Sequence, residues 1–499
     1  MNLSDTPAAD GLQFPDLLVY RGYSAPVRIE ADVQDLEVIG RIPPELNGAY
    51  VRNSADPTYP PLLGTDIFLN GDGMVHMVRL ESGHADLKTR YVRTAKFERE
   101  RAARRALFGA YRNPFTDSPE VAGVDNNTAN TSILWHHGKL YALKESGRPF
   151  ELDPQTLETL GERDFNGQLK SQTFTAHPKI DPVTGECLAF AYNGEGAASD
   201  AIDIFTISPE GTITSTERFQ APYCSMVHDW LVSRHFIAFV ICPMVCDWER
   251  VKKGEPYWHW DNTKQTMVAI IPRDQGVKAI RWYTCPVVAM QTHTFNAWDD
   301  VDQGGHTLHL DHFVTGSGWL SQFPDLHDPQ AKEKPPFGER WSFDLASSED
   351  SFARRRLIDH IGEMPAIDPR YAMQRTQHFW FGTNNAALGP MLPWGPKGPP
   401  FNCLGHYDEA ADRLDFFYAG PDSAPEEPLF VPRHAGATEG DGWLLTMVGR
   451  RAENRTDLVI LDALHLSQGP VAIVKFPCRV HEGFHGTWVP APGPTTTET

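Results

Sequence analysis

The chain has 499 residues, a mass of 55.9 kDa, a formal net charge of −20 and a sequence pI near 5.4. Such a charge repels phosphate backbones and anionic headgroups, so nucleic acid is not an expected partner. Hydrophobic residues at 41 % and aromatics at 11 % supply a large packed core, which excludes a disordered chain.

The opening "MNLSDTPAADG" has neither the basic start nor the apolar stretch of a secretion signal. No run reaches the roughly 18 apolar residues of a membrane helix, so no membrane span is expected. Seven cysteines, odd in number and without a C-x-x-C pair, fit a reducing compartment, and the cytoplasm is the expected location.

Along the chain, "LNGDGMVH" at 69–76 has glycines two apart but no helix pattern after it, and reads as a tight β-turn. "KFERERAARRALFGAYR" at 96–112 carries helix formers with charges four apart, and predicts a helix. From about residue 130 onward, short runs rich in β-branched and aromatic residues alternate with Gly, Asp, Pro and Asn turns. "TSILWHHGKLYALKESGRPFELDPQTLE", "FIAFVICPM", "RWSFDLASS" and "DLVILDALHL" are examples. "DSFARRRLIDHI", 350–361, is the other predicted helix. The closing "APGPTTTET", 491–499, is expected to be a disordered tail.

This pattern predicts an all-β protein. Its length favours a β-propeller, whose repeated four-stranded blades absorb over 400 residues without a second core. No linker interrupts residues 1–490, which are expected to form one domain. The two helices would then be insertions over one face.

No G-x-S-x-G elbow, Walker A loop or Rossmann glycine pattern is present, so hydrolase, kinase and dehydrogenase chemistries lose their usual support. Histidine is abundant instead, with 20 in the chain. His306, His309 and His312 in "HTLHLDH" tempt as a metal cluster, but residues three apart in a strand face opposite ways. His177, His228, His293 and His485 each sit among small or aromatic residues near the end of a strand-like run. Taken singly, a hydrogen-bonded structural role is the commoner outcome for each. Together, their wide spacing suits a site where distant blades each send one ligand to a shared axis.

Several stretches in order, "NGAYVRNSADP", "FLNGDGMVH", "TAHPKIDPVTGE", "HTFNAWDD", "EEPLFVPR" and "GFHGTWVP", resemble the carotenoid cleavage oxygenases nearly end to end. The resemblance implies a seven-bladed propeller with a small helical dome and a non-haem Fe(II) centre. By motif, the iron ligands fall on His177, His228, His293 and His485, and the glutamates behind them on Glu145, Glu363 and Glu427. An all-imidazole set suits Fe(II) and leaves charge neutralisation to those outer carboxylates. The chain departs from the family at "RNSADP", 52–57, where "RNGPNP" is usual, which puts the entrance region in doubt but not the metal.

"LFGAYRNPFTD" and the Lys144-Glu145 pair in "LYALKESG" resemble the lignostilbene dioxygenase branch. That resemblance implies that Tyr111 and Lys144 hold the 4-hydroxyl of a phenolic alkene, which O2 then splits into two carbonyl products. A 4-hydroxystilbene is the expected substrate. Isoeugenol-type phenylpropenoids and apocarotenoids are the alternatives, because relatives that act on isoeugenol share both motifs. Tyr59, Phe68, Phe313 and Trp319 are candidates for the far end of the pocket. A homodimer stands as an open alternative. Within "HEGFHGTWVP", the motif places the ligand at His485 and leaves His481 an ordinary neighbour.

Overall fold

In the computed structural model, residues 13–316, 335–393, 395 and 400–491 are described. Seven antiparallel sheets of four to six strands, and one two-stranded hairpin, account for the strands. They form a seven-bladed β-propeller. In chain order the blades are built from residues 48–91, 132–162, 179–220, 231–284, 290–361, 363–418 and 423–475.

Two pairings close the ring. The last strand, Gly483–Pro490, adds to Gly48–Asp56 and becomes the inner edge of the first blade. The N-terminal strand Glu37–Gly40 adds to Pro470–Lys475 on the seventh blade. Both ends of the chain are thus tied by backbone hydrogen bonds to segments more than 400 residues away.

The apolar core lies between neighbouring sheets. Trp380 of the sixth blade is fully buried, stacks on Phe430 of the seventh at 4.9 Å and donates Nε1–H to the Ala463 carbonyl at 2.8 Å. Truncating such a side chain costs about 3–5 kcal/mol. Val240, Tyr283 and Trp341 fill the same kind of interface between the fourth and fifth blades.

Two expectations about helices change. The helix predicted over 96–112 runs only from Ala95 to Ala103. Thr94 caps its start, Arg104 turns left-handed at φ 55°, and the buried Glu100 carboxylate takes the Leu107 and Phe108 N–H groups, so the chain beyond folds back as a loop. "DSFARRRLIDHI" is not a helix: Ala353–Ile361 is the outer strand of the fifth blade. Arg354 meets Glu339 on the neighbouring strand and Arg355 meets Glu409 just past a strand of the sixth blade, each at 2.7 Å, while Arg356 pairs locally with Asp359 at 3.3 Å.

In "LNGDGMVH" a short turn, Phe68–Asn70, leads directly into the strand Asp72–Glu81. Gly73 is needed for close approach: a Cβ there would lie 2.4 Å from the Ala129 carbonyl oxygen. The tail expected over 491–499 lies, apart from Ala491, outside the described residues. No helix among the described residues is long and apolar enough to cross a membrane.

Candidate metal centre

Each blade sends one side chain to the axis. His485 is on the inner strand of the first blade, His177 just before that of the third, His228 just before that of the fourth and His293 within that of the fifth. Glu145, Glu363 and Glu427 come from the second, sixth and seventh blades.

Local devices aim the histidines. The pairing of Gly48–Asp56 with Gly483–Pro490 slips by one residue at the 484–485 position, and that of Met290–Asp299 slips at 292–293. Both bulges carry a histidine, and a bulge re-aims the side chain it holds. His177 is fixed through its backbone: Thr175 Oγ1 accepts its N–H, and Trp230 Nε1–H donates to its carbonyl, both at 2.8 Å. The buried Asp229 carboxylate then binds Lys179 at 2.8 Å and the N–H of Thr294 at 2.9 Å. It ties together the segments following three of the four histidines.

The four imidazoles offer nitrogens that all lie within 4.8 Å of one another. His228 Nε2 is 3.2 Å from His177 Nε2 and 2.9 Å from His293 Nε2. On the outer side, His228 Nδ1 meets Glu145 in a short bond, His293 Nδ1 meets Glu363 at 2.5 Å, and His485 Nδ1 meets Glu427 at 2.6 Å. A neutral imidazole whose Nδ1 proton goes to a carboxylate presents only a lone pair at Nε2. Lone pairs that converge at 2.9 to 3.2 Å repel unless a cation lies between them, so the donor set fits a metal ion.

Electrostatics agrees. Burial, helped by the other three imidazoles, holds His177 well below the usual histidine range. Burial also lowers His485 against the pull of Glu427, whereas Glu363 outweighs burial and raises His293. Burial would raise Glu145, but the His228 imidazole overcomes it and brings the carboxyl down to about 2. His293 and His485 likewise hold Glu363 and Glu427 low against burial. Three ionised carboxylates around four imidazoles make a site that selects a cation.

His481 is not part of this cluster. It is buried beside Asp56 and His76 and lines a smaller cavity behind the Phe68–Asn70 turn. Gly483 and Gly486 explain the glycines of "GFHG": a Cβ at 483 would sit 2.1 Å from Arg52 Nε, and one at 486 would sit 2.7 Å from the Val51 carbonyl oxygen. Arg52 in turn binds Glu426 at 2.9 Å and Glu427 at 3.6 Å. "RNSADP" therefore lies mainly in a fully buried strand that braces the His485–Glu427 pair, rather than at an entrance.

A cleft of about 1470 Å³, open to solvent, lies over the histidines and is lined by His228, His293 and His485 as well as Tyr111 and Lys144. Its apolar wall includes Phe68, Leu69, Met226, Met290 and Phe484. Lys144 is 4 % exposed, with Nζ 5.2 Å from the centre of the Tyr111 ring. The amine donates to the Leu69 carbonyl at 2.8 Å and to Asn130 Oδ1 at 3.1 Å. Asn130 is oriented for this by giving its own Nδ2–H groups to the Leu69 and Gly71 carbonyls. Burial pushes Lys144 down to about 7, opposed by Glu145 and assisted by Arg112.

A sequence model of the retinal pigment epithelial membrane protein family (RPE65) matches residues 24–490. The chain belongs to the RPE65/carotenoid oxygenase family. Carotenoid oxygenases are non-haem iron enzymes, and this chain's four histidines are placed to bind a metal. It is 40 % identical over 486 residues to the lignostilbene-alpha,beta-dioxygenase isozyme III of Sphingomonas paucimobilis, covering 96 % of this chain and 98 % of that one. Identity to the isoeugenol monooxygenase of Pseudomonas nitroreducens is 41 % over 473 residues, covering 94 % and 98 %. The crystal structure of Pseudomonas brassicacearum lignostilbene dioxygenase superposes with a TM-score of 0.91 at 38 % identity, over 96 % of this chain and all of that one. The chain is thus an oxidative-cleavage enzyme of the carotenoid oxygenase family.

Of the aromatics read as candidates for the far end of the cleft, only Phe68 lines it among the described residues. Tyr59 borders the smaller cavity, Phe313 is buried in a core with Phe295 and Phe381, and Trp319 lies outside the described residues. Asn130, Tyr192 and Asp229 were missed, because single buried polar residues in loops and strands carry no periodic signal. "YR" at 111–112 was the one local hint to Arg112, whose guanidinium is packed among Tyr192, Tyr257 and Trp258.

Proposed function

We propose that this chain uses Fe(II) and O2 to cleave the central C=C bond of 4-hydroxylated stilbenes, of the lignostilbene or resveratrol type, into two aromatic aldehydes. The observation that carries the reading is one cleft lined by both a buried Lys144–Tyr111 pair and three of the four convergent imidazoles. His177, His228, His293 and His485 would hold the iron, with Glu145, Glu363 and Glu427 orienting three of them. The iron, when bound, supplies the activation of O2. The balance is simple: one alkene and one O2 give two aldehydes, with no other reductant.

The chain's own residues prepare the alkene. At neutral pH a good fraction of Lys144 is the free amine, whose two N–H groups are taken by Leu69 O and Asn130 Oδ1. The remaining lone pair on Nζ accepts the proton of the substrate's 4-hydroxyl, and the new N–H donates back to the phenolate. An ammonium within a few ångströms lowers a phenol's pKa by about 1–3 units. Phenolate charge flows through the ring to the alkene and makes it electron-rich. Tyr111 and the apolar wall hold the ring in register and exclude water.

The similarity to an isoeugenol monooxygenase supports a second reading, cleavage of a propenyl side chain, because the same phenol anchor serves both. The test is aerobic incubation of Fe(II)-loaded protein with resveratrol, lignostilbene, isoeugenol, 4-vinylguaiacol and an apocarotenal, with products read by mass. Stilbene turnover at least tenfold above the others is expected, and vanillin from isoeugenol alone would overturn the stilbene reading. The seven free thiols support a cytoplasmic location.

A further inference from the structure

We infer that Arg112 is a positioning residue for the metal centre, acting on His228 through Tyr192 and Glu145; this rests on the reading of the four histidines as iron ligands. The chain of contacts is continuous. Arg112 Nη1–H donates to Tyr192 Oη at 2.9 Å, the Tyr192 hydroxyl donates to Glu145 Oε2 at 2.5 Å, and Glu145 Oε1 takes the proton of His228 Nδ1.

Direction is the point. A tyrosine hydroxyl has one proton, and an oxygen already accepting from a guanidinium must send that proton elsewhere. The ionised Glu145 carboxylate can only accept, so Tyr192 donates to it; Arg112, donating to the same hydroxyl oxygen, holds that oxygen in place, which fixes one carboxylate oxygen and leaves the other for His228. Without the guanidinium the hydroxyl oxygen loses the donor that holds it, Glu145 is oriented less firmly, and the anchor of the imidazole slackens.

Arg112 is itself held rigidly. Asn193 Oδ1 accepts its Nη2–H at 2.9 Å, and its guanidinium lies 5.4, 4.4 and 5.2 Å from the rings of Tyr192, Tyr257 and Trp258. Its backbone is left-handed at φ 57°, a conformation that costs a non-glycine residue about 1–3 kcal/mol and persists where the surroundings enforce it. The carboxylate its charge faces is Glu145, at the far side of Tyr192. A cation buried among aromatic rings, bound to the Tyr192 hydroxyl and Asn193 and interacting with the Tyr111 hydroxyl, is costly for the fold unless the orientation it imposes matters.

The test compares Arg112→Met, Arg112→Lys, Tyr192→Phe and the Arg112→Met/Tyr192→Phe double variant with wild type, reading Fe(II) affinity against a competing chelator together with Tm. Loss of a partner behind a metal ligand typically weakens binding about 10 to 100-fold. Tyr192→Phe is expected to weaken Fe(II) binding about tenfold, and Arg112→Met several-fold, since both break the same chain. Arg112→Lys should recover part of the loss, and the double variant should be no weaker than Tyr192→Phe, because residues in one chain are not additive. Fe(II) affinity within twofold of wild type in Tyr192→Phe, or losses that simply add in the double variant, would overturn the inference. If Arg112→Met does not fold, Tyr192→Phe and Arg112→Lys decide alone. A wild-type protein that takes up no Fe(II) would instead remove the iron reading on which the inference rests.

Discussion

Lys144→Met is expected to lower turnover of a 4-hydroxystilbene by about a hundredfold or more, the usual contribution of a positioned acid or base, while iron content stays at the wild-type level. Methionine matches the length and burial of the lysine stem but can neither accept nor return the phenol proton. Lys144 does not touch the histidines: its hydrogen bonds go to Leu69 and Asn130, and it acts on the site only through the charge of the neighbouring Glu145, so the four nitrogens stay in place. The pH profile should move as well. With Lys144 brought down to about 7, chiefly by burial, wild-type activity is expected to fall as pH drops through that value, because a protonated amine has no lone pair to offer. The Met variant's residual activity should lack that acid limb. Activity within a few-fold of wild type, or an unchanged limb, would refute the phenolate role.

The second large effect separates the two histidines of "HEGFHGTWVP". His485→Ala is expected to strip the protein of iron, since it removes one of four convergent nitrogens and leaves Glu427 without its imidazole. His481→Ala should keep full iron and instead lose stability, because His481 is buried beside Asp56 and His76, away from the cluster. Such a loss of a buried polar partner costs about 1–3 kcal/mol. Iron per chain, measured with Tm on the same samples, checks both. Iron retained in His485→Ala but lost in His481→Ala would reverse the assignment.

Much of the fold was legible because its signal is repeated. Alternating, β-branched runs with polar turns recur from about residue 130 through the second to seventh blades, so errors in any one strand hardly matter. Single segments without repetition were read less well. "DSFARRRLIDHI" has helix formers and helical charge spacing, yet it is a strand that pairs with Phe337–Asp344, and two of its arginines meet Glu339 and Glu409 far from it in sequence. The predicted helix at 96–112 ends early because Glu100 is recruited to hold the loop that follows. In both cases contacts distant in sequence overrode local propensity.

The metal site was legible only in part. Wide spacing hinted at ligands from separate blades, but choosing four of 20 histidines, and three of the many glutamates, depended on motif resemblance. No single-sequence signal shows that Glu145, Glu363 and Glu427 each face an Nδ1 atom, since that fact exists only once the seven blades close. The same is true of Lys144. Its position at the end of an ordinary strand reads as surface, and its burial follows from the Phe68–Asn70 turn and Asn130 packing over it.

The central claim is metal-dependent alkene cleavage in the cleft above the four histidines. The most direct measurement is product mass after aerobic incubation of resveratrol with metal-free protein, and with the same protein reloaded with Fe(II). The expected result is two aromatic aldehydes, 4-hydroxybenzaldehyde and 3,5-dihydroxybenzaldehyde, in equal amounts and only in the reloaded sample. Equal cleavage with and without Fe(II), or none in either while iron is bound at one per chain, would contradict it.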